Sequence, residues 1–250
     1  MPNFPKTSGW PERTWRNVYA ADVARGYVPG AQQWHMFGIT DTASNVERII
    51  REVGMPNTMT VPNGVQLTVV STSAADTMTL KIRYLDGDLV ERVEAVQLTG
   101  TTPVLTQATD IRAINNAYVL NGGAVGTITG SAGGVQQLRI NPGDVQYNAA
   151  LYRVPAGKRL MIATMFAGSS SGSTVAKAIV KFEGSFANGD RFADQGYLHP
   201  MAAIALQDNS ETMTFGPFAI PSGEWIAFTV ISDKPATVSA GAFGWLENDD

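Results

Sequence analysis

A short phrase occurs three times in this chain. Val61-Pro62-Asn63-Gly64 leads into Val65-Gln66-Leu67-Thr68-Val69-Val70, and Val154-Pro155-Ala156-Gly157 leads into Lys158-Arg159-Leu160-Met161-Ile162. Ile220-Pro221-Ser222-Gly223 leads into Glu224-Trp225-Ile226-Ala227-Phe228. Proline presets φ and glycine admits positive φ, so Pro-x-Gly is a turn with a mechanism. The β-branched and aromatic residues that follow suit a half-buried pleated surface. One device, a tight entry into a core strand, is reused, and that constrains the chain to an all-β architecture.

The rest of the sequence agrees. Met78, Leu80, Ile82 and Tyr84 alternate with Thr79, Lys81 and Arg83, a strand with one wet face. Asp86-Gly87-Asp88 turns this strand into Leu89, Val90, Val93, Val96 and Leu98, a hairpin. Further strands are expected over 111–120, 125–129, 135–140, 146–154, 159–167, 174–183, 201–207, 212–219, 224–232 and 237–246. Gly168-Ser169-Ser170-Ser171-Gly172-Ser173 is expected to be a hairpin tip, and Asn188-Gly189 a further turn. Residues 41–56 fit a helix by the Ser44 to Glu47 capping spacing, and a strand by their Val-Ile-Ile content.

Asn141-Pro142-Gly143 divides the β region into blocks of ordinary sandwich size. The expectation is one or two antiparallel, jelly-roll-like β-sandwich domains, over 34–142 and 143–250, behind an extended N-terminal arm over 1–33. That arm is punctuated by Pro2, Pro5, Gly9, Pro11, Gly26, Pro29 and Gly30, yet carries Phe4, Trp10, Trp15, Tyr19 and Tyr27. A short amphipathic helix fits between Pro11 and Gly26. So much exposed apolar surface is unusual on a monomer, so the arm is expected to dock on its own domain or on a neighbouring subunit. Trp10, Trp15, Tyr19 and Tyr27 are its partner-interface residues.

Composition narrows the function classes. The 18 basic and 22 acidic residues are spread without blocks, for a net charge of −4, and phosphate binding needs clustered Lys and Arg. There is no cysteine, which removes disulfides and thiolate metal sites. The N-terminus lacks the basic and apolar regions of a signal peptide, and no window approaches the roughly 20 apolar residues of a membrane span, so a soluble chain is expected.

The search for chemistry gives little. A Ser-His-Asp triad would need His35 or His199, and neither is accompanied by a Gly-x-Ser-x-Gly elbow. Both read as structural residues, His199 near a strand edge and His35 in a cluster with Trp34 and Phe37. Asp86 and Asp88 open like a calcium loop without its later ligands, and read as a turn. Asp190 and Asp194 flank Arg191 in a solvated loop. Tyr197, Trp225 and Trp245 are the aromatics a glycan site would use, but their strand positions read as core. Gly122–Gly126 and Gly130–Gly134 are turns rather than phosphate loops. No catalytic, cofactor-binding or metal-ligating residue emerges, and the chain reads as a non-enzyme.

Several phrases carry a resemblance: Val70-Ser71-Thr72-Ser73-Ala74-Ala75-Asp76-Thr77, Val96-Gln97-Leu98-Thr99-Gly100-Thr101-Thr102-Pro103-Val104, Asn116-Ala117-Tyr118-Val119 and Val125-Gly126-Thr127-Ile128. Tyr152-Arg153-Val154-Pro155-Ala156-Gly157-Lys158 and Val238-Ser239-Ala240-Gly241-Ala242-Phe243 continue it. In order and spacing the chain resembles, over roughly 34–250, a family of tailed-bacteriophage virion structural proteins common in aquatic phage genomes. The resemblance implies a strand over 46–53 and a place in the virion, after assembly in the host bacterial cytoplasm. The implied role is a capsid decoration (cement) protein, a homo-oligomer such as a trimer on the major capsid protein, with the arm bridging subunits. A tail, neck or baseplate component is the alternative, and a receptor- or glycan-binding module another.

Overall fold

In a computed structural model, the described residues are 15–55, 64–171, 176–185, 199–207 and 209–249. A helix, α1 (Trp15–Ala24), precedes β1 (Gln32–Asp41) and β2 (Arg48–Ile49). There follow β3 (Thr68–Ser71), β4 (Thr79–Leu85), β5 (Glu91–Gln97), β6 (Val104–Leu105), β7 (Ala113–Val119), β8 (Ile128–Ala132) and β9 (Val135–Ile140). The chain ends with β10 (Leu151–Arg153), β11 (Lys158–Ser170), β12 (Lys177–Gly184), β13 (His199–Gln207), β14 (Ser210–Ile220), β15 (Trp225–Ser232) and β16 (Thr237–Asn248). The fold is all-β and antiparallel, as the turn phrases require.

Two sheets enclose the larger core. A front sheet has the order β1-β16-β11-β14, and a back sheet the order β10-β15-β12-β13, with β2 added beside β15. The antiparallel pairs nest from the ends inward: β1 with β16, β10 with β15, β11 with β14, β12 with β13. That is one long hairpin rolled up, the eight-stranded jelly roll. Its core holds Trp34, Leu160, Ile162 and Met165 from the front sheet against Phe182, Ile204, Phe228 and Val230 from the back.

Rolling explains the repeated phrase. The connections β10→β11 and β14→β15 face each other in the nested hairpin, and these are the Pro155 and Pro221 turns. The Gly223 N–H donates to the Val154 carbonyl at 3.0 Å, and the Val154 N–H to the Glu224 carbonyl at 2.9 Å. The Ser222 hydroxyl donates to the Pro155 carbonyl at 3.1 Å and accepts the Gly157 N–H at 3.2 Å. Gly157 and Gly223 lie at φ +68° and +81°, where a side chain is strained.

A second sandwich interrupts the roll between β2 and β10. One sheet has the order β6-β3-β8-β9 and the other β5-β4-β7. Leu67, Val69, Ile128 and Leu138 meet Leu80, Ile82, Val96 and Ala117 in its core. β4 keeps the alternation read from its sequence, with Leu80, Ile82 and Tyr84 inward.

Four expectations are corrected. The boundaries at 34 and 142 do not divide the sandwiches, because β1 pairs along its length with β16 and the 34–55 segment therefore belongs to the C-terminal roll. Asn141-Pro142-Gly143 is a turn inside the insert, where the Gly143 N–H donates to the Ala124 carbonyl and Tyr147 joins the insert core. Gly168 to Ser173 is not a hairpin tip: Gly168, Ser169 and Ser170 belong to β11, and β11 and β12 lie in different sheets. Within 42–55 only Arg48–Ile49 is a named strand, beside β15.

The arm is also not extended throughout. α1 ends in a Schellman motif, with the Tyr27 N–H on the Asp22 carbonyl, the Gly26 N–H on the Val23 carbonyl, and Gly26 at φ +73°.

Candidate functional site

The outer face of the front sheet is the feature that stands out. Strand pairing lines its outward residues up in rows. Gln33, Trp245, Met161 and Ala219 form one row; His35, Phe243, Thr164 and Thr214 the next. Phe37, Gly241, Phe166 and Thr212 form the third, and Ile39, Ser239, Gly168 and Ser210 the fourth. No Asp, Glu, Lys or Arg occurs in these rows. Charges stand beyond the ends, Arg159 and Glu247 at one and Asp41 at the other.

Three phenylalanines form a ladder across the middle. Phe37 and Phe166 stack at 6.3 Å with 14° between planes, and Phe166 and Phe243 at 5.4 Å with 28°. His35 lies 6.5 Å from Phe243. Gly241 is why the rings can lie this way. It sits between Phe37 and Phe166 in the pairing, and an added Cβ would meet the Phe166 ring at 2.5 Å and the Met36 carbonyl at 2.4 Å. Phe37 is 37% exposed and Phe243 49%, so among the described residues the ladder is partly open.

One end of this face is covered by α1. The Tyr19 ring lies 5.3 Å from that of Trp245, and its hydroxyl donates to Glu247 Oε2 at 3.1 Å. Trp245 Nε1–H donates to the same oxygen at 3.1 Å, while Arg159 donates to Oε1 through Nε and Nη2 at 3.1 and 2.9 Å. Glu247 thus clasps helix and sheet. Burial, then its bond to Glu247, raises the Tyr19 pKa.

Of the expected interface residues, then, Tyr19 docks on its own chain and Tyr27 is 72% exposed. Trp15 begins α1, and Trp10 lies outside the described residues. Asp190, Arg191, Asp194 and Tyr197, together with Asn188-Gly189, also lie outside them.

The remaining polar clusters are braces. Asp76 is fully buried in the insert, accepting from the Ser71 hydroxyl at 2.5 Å and from the Val125 and Gly126 N–H groups at 2.8 and 2.9 Å. Burial alone would raise its pKa; these donors together hold it below the ordinary value. Glu52 joins the roll to the insert, accepting from Asn141 Nδ2 at 2.6 Å and Asn148 Nδ2 at 3.1 Å. There burial wins, and the pKa is raised despite the donors from Asn148 and Asn141. A cleft of about 70 Å³ beside Glu52 is lined by Arg48, Arg51 and Thr40. That volume suits a few waters rather than an organic substrate.

Asp86 accepts the Asp88 and Val90 N–H groups and pairs with Arg92 at 2.8 Å, as a turn residue should. His35 and His199 are far apart in the roll, on β1 of the front sheet and at the start of β13, an edge strand of the back sheet. Trp225 and Trp245 are 1% and 5% exposed and so are packed residues rather than a glycan platform. Among the described residues no three His, Asp or Glu side chains gather as a metal site, and no helix is long and apolar enough to cross a membrane.

No protein-family model and no curated protein matches the chain. Among solved structures it is similar, at 11% identity and a TM-score of 0.19, to one described as the structure of infectious bursal disease virus Gt strain, over 88% of this chain and 73% of that one. A score that low carries no argument.

Sequence reasoning missed Phe166 and Phe243 as surface residues and the glycine between the strands. A signal was present in Trp34-His35-Met36-Phe37. Large side chains at both parities of a strand place apolar groups on its outer as well as its inner face.

Proposed function

We propose that this chain is a non-enzymatic bacteriophage virion structural protein, a capsid decoration (cement) protein that stabilises the shell as a homo-oligomer on the major capsid protein. The observation that carries this reading is the pairing of a jelly roll with an aromatic sheet face that is partly exposed among the described residues and uncharged across its four rows. Such a face suits burial in a symmetric assembly better than it suits a reaction. The sequence resemblance to phage virion proteins supplies the location, since a fold alone does not name a function. The buried tryptophans favour this reading over a glycan-binding module.

Quantitative mass spectrometry of purified particles tests it. A copy number near that of the major capsid protein is the expected result. A few per cent of that number would move the chain to the neck, tail or baseplate, where ring symmetry sets the count, and absence from the particle would remove the virion reading.

A further inference from the structure

Among the described residues of the insert, two pairs place a carboxyl or amide side chain directly before a glycine, Asp86-Gly87 and Asn121-Gly122. In such a pair the glycine nitrogen has no neighbouring Cβ to shield it and can attack the side chain that precedes it. The two pairs meet opposite surroundings. Asp86-Gly87, in the turn from β4 to β5, is tied down on both sides of the bond. The Asp86 carboxylate accepts the Asp88 and Val90 N–H groups at 3.1 and 2.9 Å and pairs with Arg92 at 2.8 Å. The Gly87 N–H, which would be the attacking group, donates to Asp110 Oδ2 at 3.1 Å.

Asn121-Gly122, on the connection from β7 to β8, is left open. Both residues are exposed, and among the described residues neither the Asn121 side chain nor the Gly122 N–H makes a hydrogen bond. A Cβ added at Gly122 would meet nothing within 4 Å. The loop is anchored at its ends: the Leu120 N–H donates to the Thr79 carbonyl at 2.9 Å, and the Ala124 N–H to the Asp144 carbonyl at 2.9 Å. Between these anchors Asn121 and Gly122 take φ +65° and +137°, outside any strand ladder. Exposed loop tips built from small polar residues are where a chain yields first to chemical change.

We propose that Asn121 is a site of spontaneous covalent modification, in which the Gly122 backbone nitrogen displaces the Asn121 side-chain amide. The bond from the Gly122 nitrogen to Asn121 Cγ forms and closes a succinimide ring. The Cγ–Nδ2 bond breaks, and the Gly122 proton leaves with Nδ2 as ammonia. Water then opens the ring at either carbonyl, which gives aspartate or isoaspartate with no change of oxidation state. Either product adds a carboxylate to the loop. Isoaspartate also routes the main chain through the side-chain methylene, lengthening it by one atom just before Gly123. There an added Cβ would meet the Gly143 carbonyl oxygen at 2.8 Å, so the extra atom is taken up at the open tip.

Other described asparagines are shielded. Asn141 precedes a proline, whose nitrogen carries no hydrogen, and its Nδ2 donates to Glu52 and to the Val53 carbonyl. Asn115 is bonded to Arg153 through both side-chain atoms. Asn45 shares the positive φ, at +56°, but precedes Val46, whose branched side chain crowds the attacking nitrogen.

The test needs no variant. The full-length chain is incubated at mildly alkaline pH, folded in one sample and unfolded in guanidinium chloride in the other, with circular dichroism confirming both states. Peptides are mapped by liquid chromatography and mass spectrometry at intervals. In the folded chain the Asn121 peptide is expected to exchange its amide NH2 for OH and to split into two isomeric peaks, at a rate close to that of the unfolded chain. Asp86 is expected to isomerise only in the unfolded chain. An Asn121 that stays intact in the folded chain overturns the proposal, whatever the unfolded chain does. Equal conversion of Asn121 and Asp86 in the folded chain overturns it as well, because their surroundings would then not set the reaction.

Discussion

The front and back sheets of the jelly roll share one core and differ in what covers their outer faces. On the back sheet β15 is almost continuously buried, with Ile226, Phe228 and Val230 facing the core and Trp225 and Ala227 facing the insert. Asn115 completes this junction: its Nδ2 donates to the Arg153 carbonyl at 2.9 Å, while its Oδ1 accepts the Arg153 N–H at 3.0 Å. The Arg153 guanidinium lies 5.5 Å from the Trp225 ring centre. On the front sheet β1 alternates strictly, with Trp34 and Met36 inside and His35 and Phe37 outside. The insert thus covers the β10–β15 part of the back-sheet face, whereas Ile179 on β12 and the phenylalanine ladder of the front sheet stay partly exposed among the described residues.

The comparison can be broken most sharply at Trp225. Trp225→Ala empties a fully covered site and should cost about 3–5 kcal/mol of unfolding free energy. Urea denaturation would read this as a fall in midpoint, and a loss below about 1 kcal/mol would mean that the insert does not hold the back sheet as described. Gly241→Ala comes next. Its methyl group must displace the Phe166 ring or the β1 backbone, so a loss of about 1–3 kcal/mol is expected on the same assay.

Acid should act on the insert and its seam in opposite senses. Glu52 is raised above its ordinary 4.5, so the folded state holds the proton more tightly and stability rises as pH falls through its raised value, levelling off below 4.5. Asp76 is lowered below its ordinary 3.8, so its contribution is whole above 3.8 and is lost as pH falls through its lowered value. Midpoints measured from pH 7 downward should rise and then drop, and Glu52→Gln should shrink the rise, with Glu183, also raised by burial, keeping part of it, and leave the drop. Smallest of all, Phe243→Ala should change the stability of the dilute chain by less than about 1 kcal/mol, because the ring is half exposed and its removal leaves no cavity.

Much of the fold was legible because its determinants are local. The Pro155 and Pro221 turns, the Asp86-Gly87-Asp88 hairpin and the two-residue alternation of β4 each follow from φ preferences and pleat geometry within a few residues, while Val61-Pro62-Asn63 lies outside the described residues. The helix between Pro11 and Gly26 was legible for the same reason. What could not be read is which strands pair at long range. Nothing local in Gln32–Asp41 reveals that its partner is Thr237–Leu246, so the N-terminal strand was assigned to the wrong sandwich and the insert was missed. The candidate face depends on the same pairing. Phe37, Phe166 and Phe243 are separated by scores of residues and become neighbours only when β1, β16 and β11 lie side by side around Gly241. The Glu247 clasp was hidden likewise, because its donors come from a helix and two strands.

Hydroxyl-radical footprinting of the full-length chain, read by mass spectrometry at low and high protein concentration, tests the difference between the two faces most directly. The account predicts that Leu151 and Trp225 are protected at every concentration, while Phe37, Phe166, Phe243 and Met161 are oxidised in dilute solution and become protected as the chain is concentrated. Oxidation of the phenylalanine ladder that stays unchanged with concentration would contradict it.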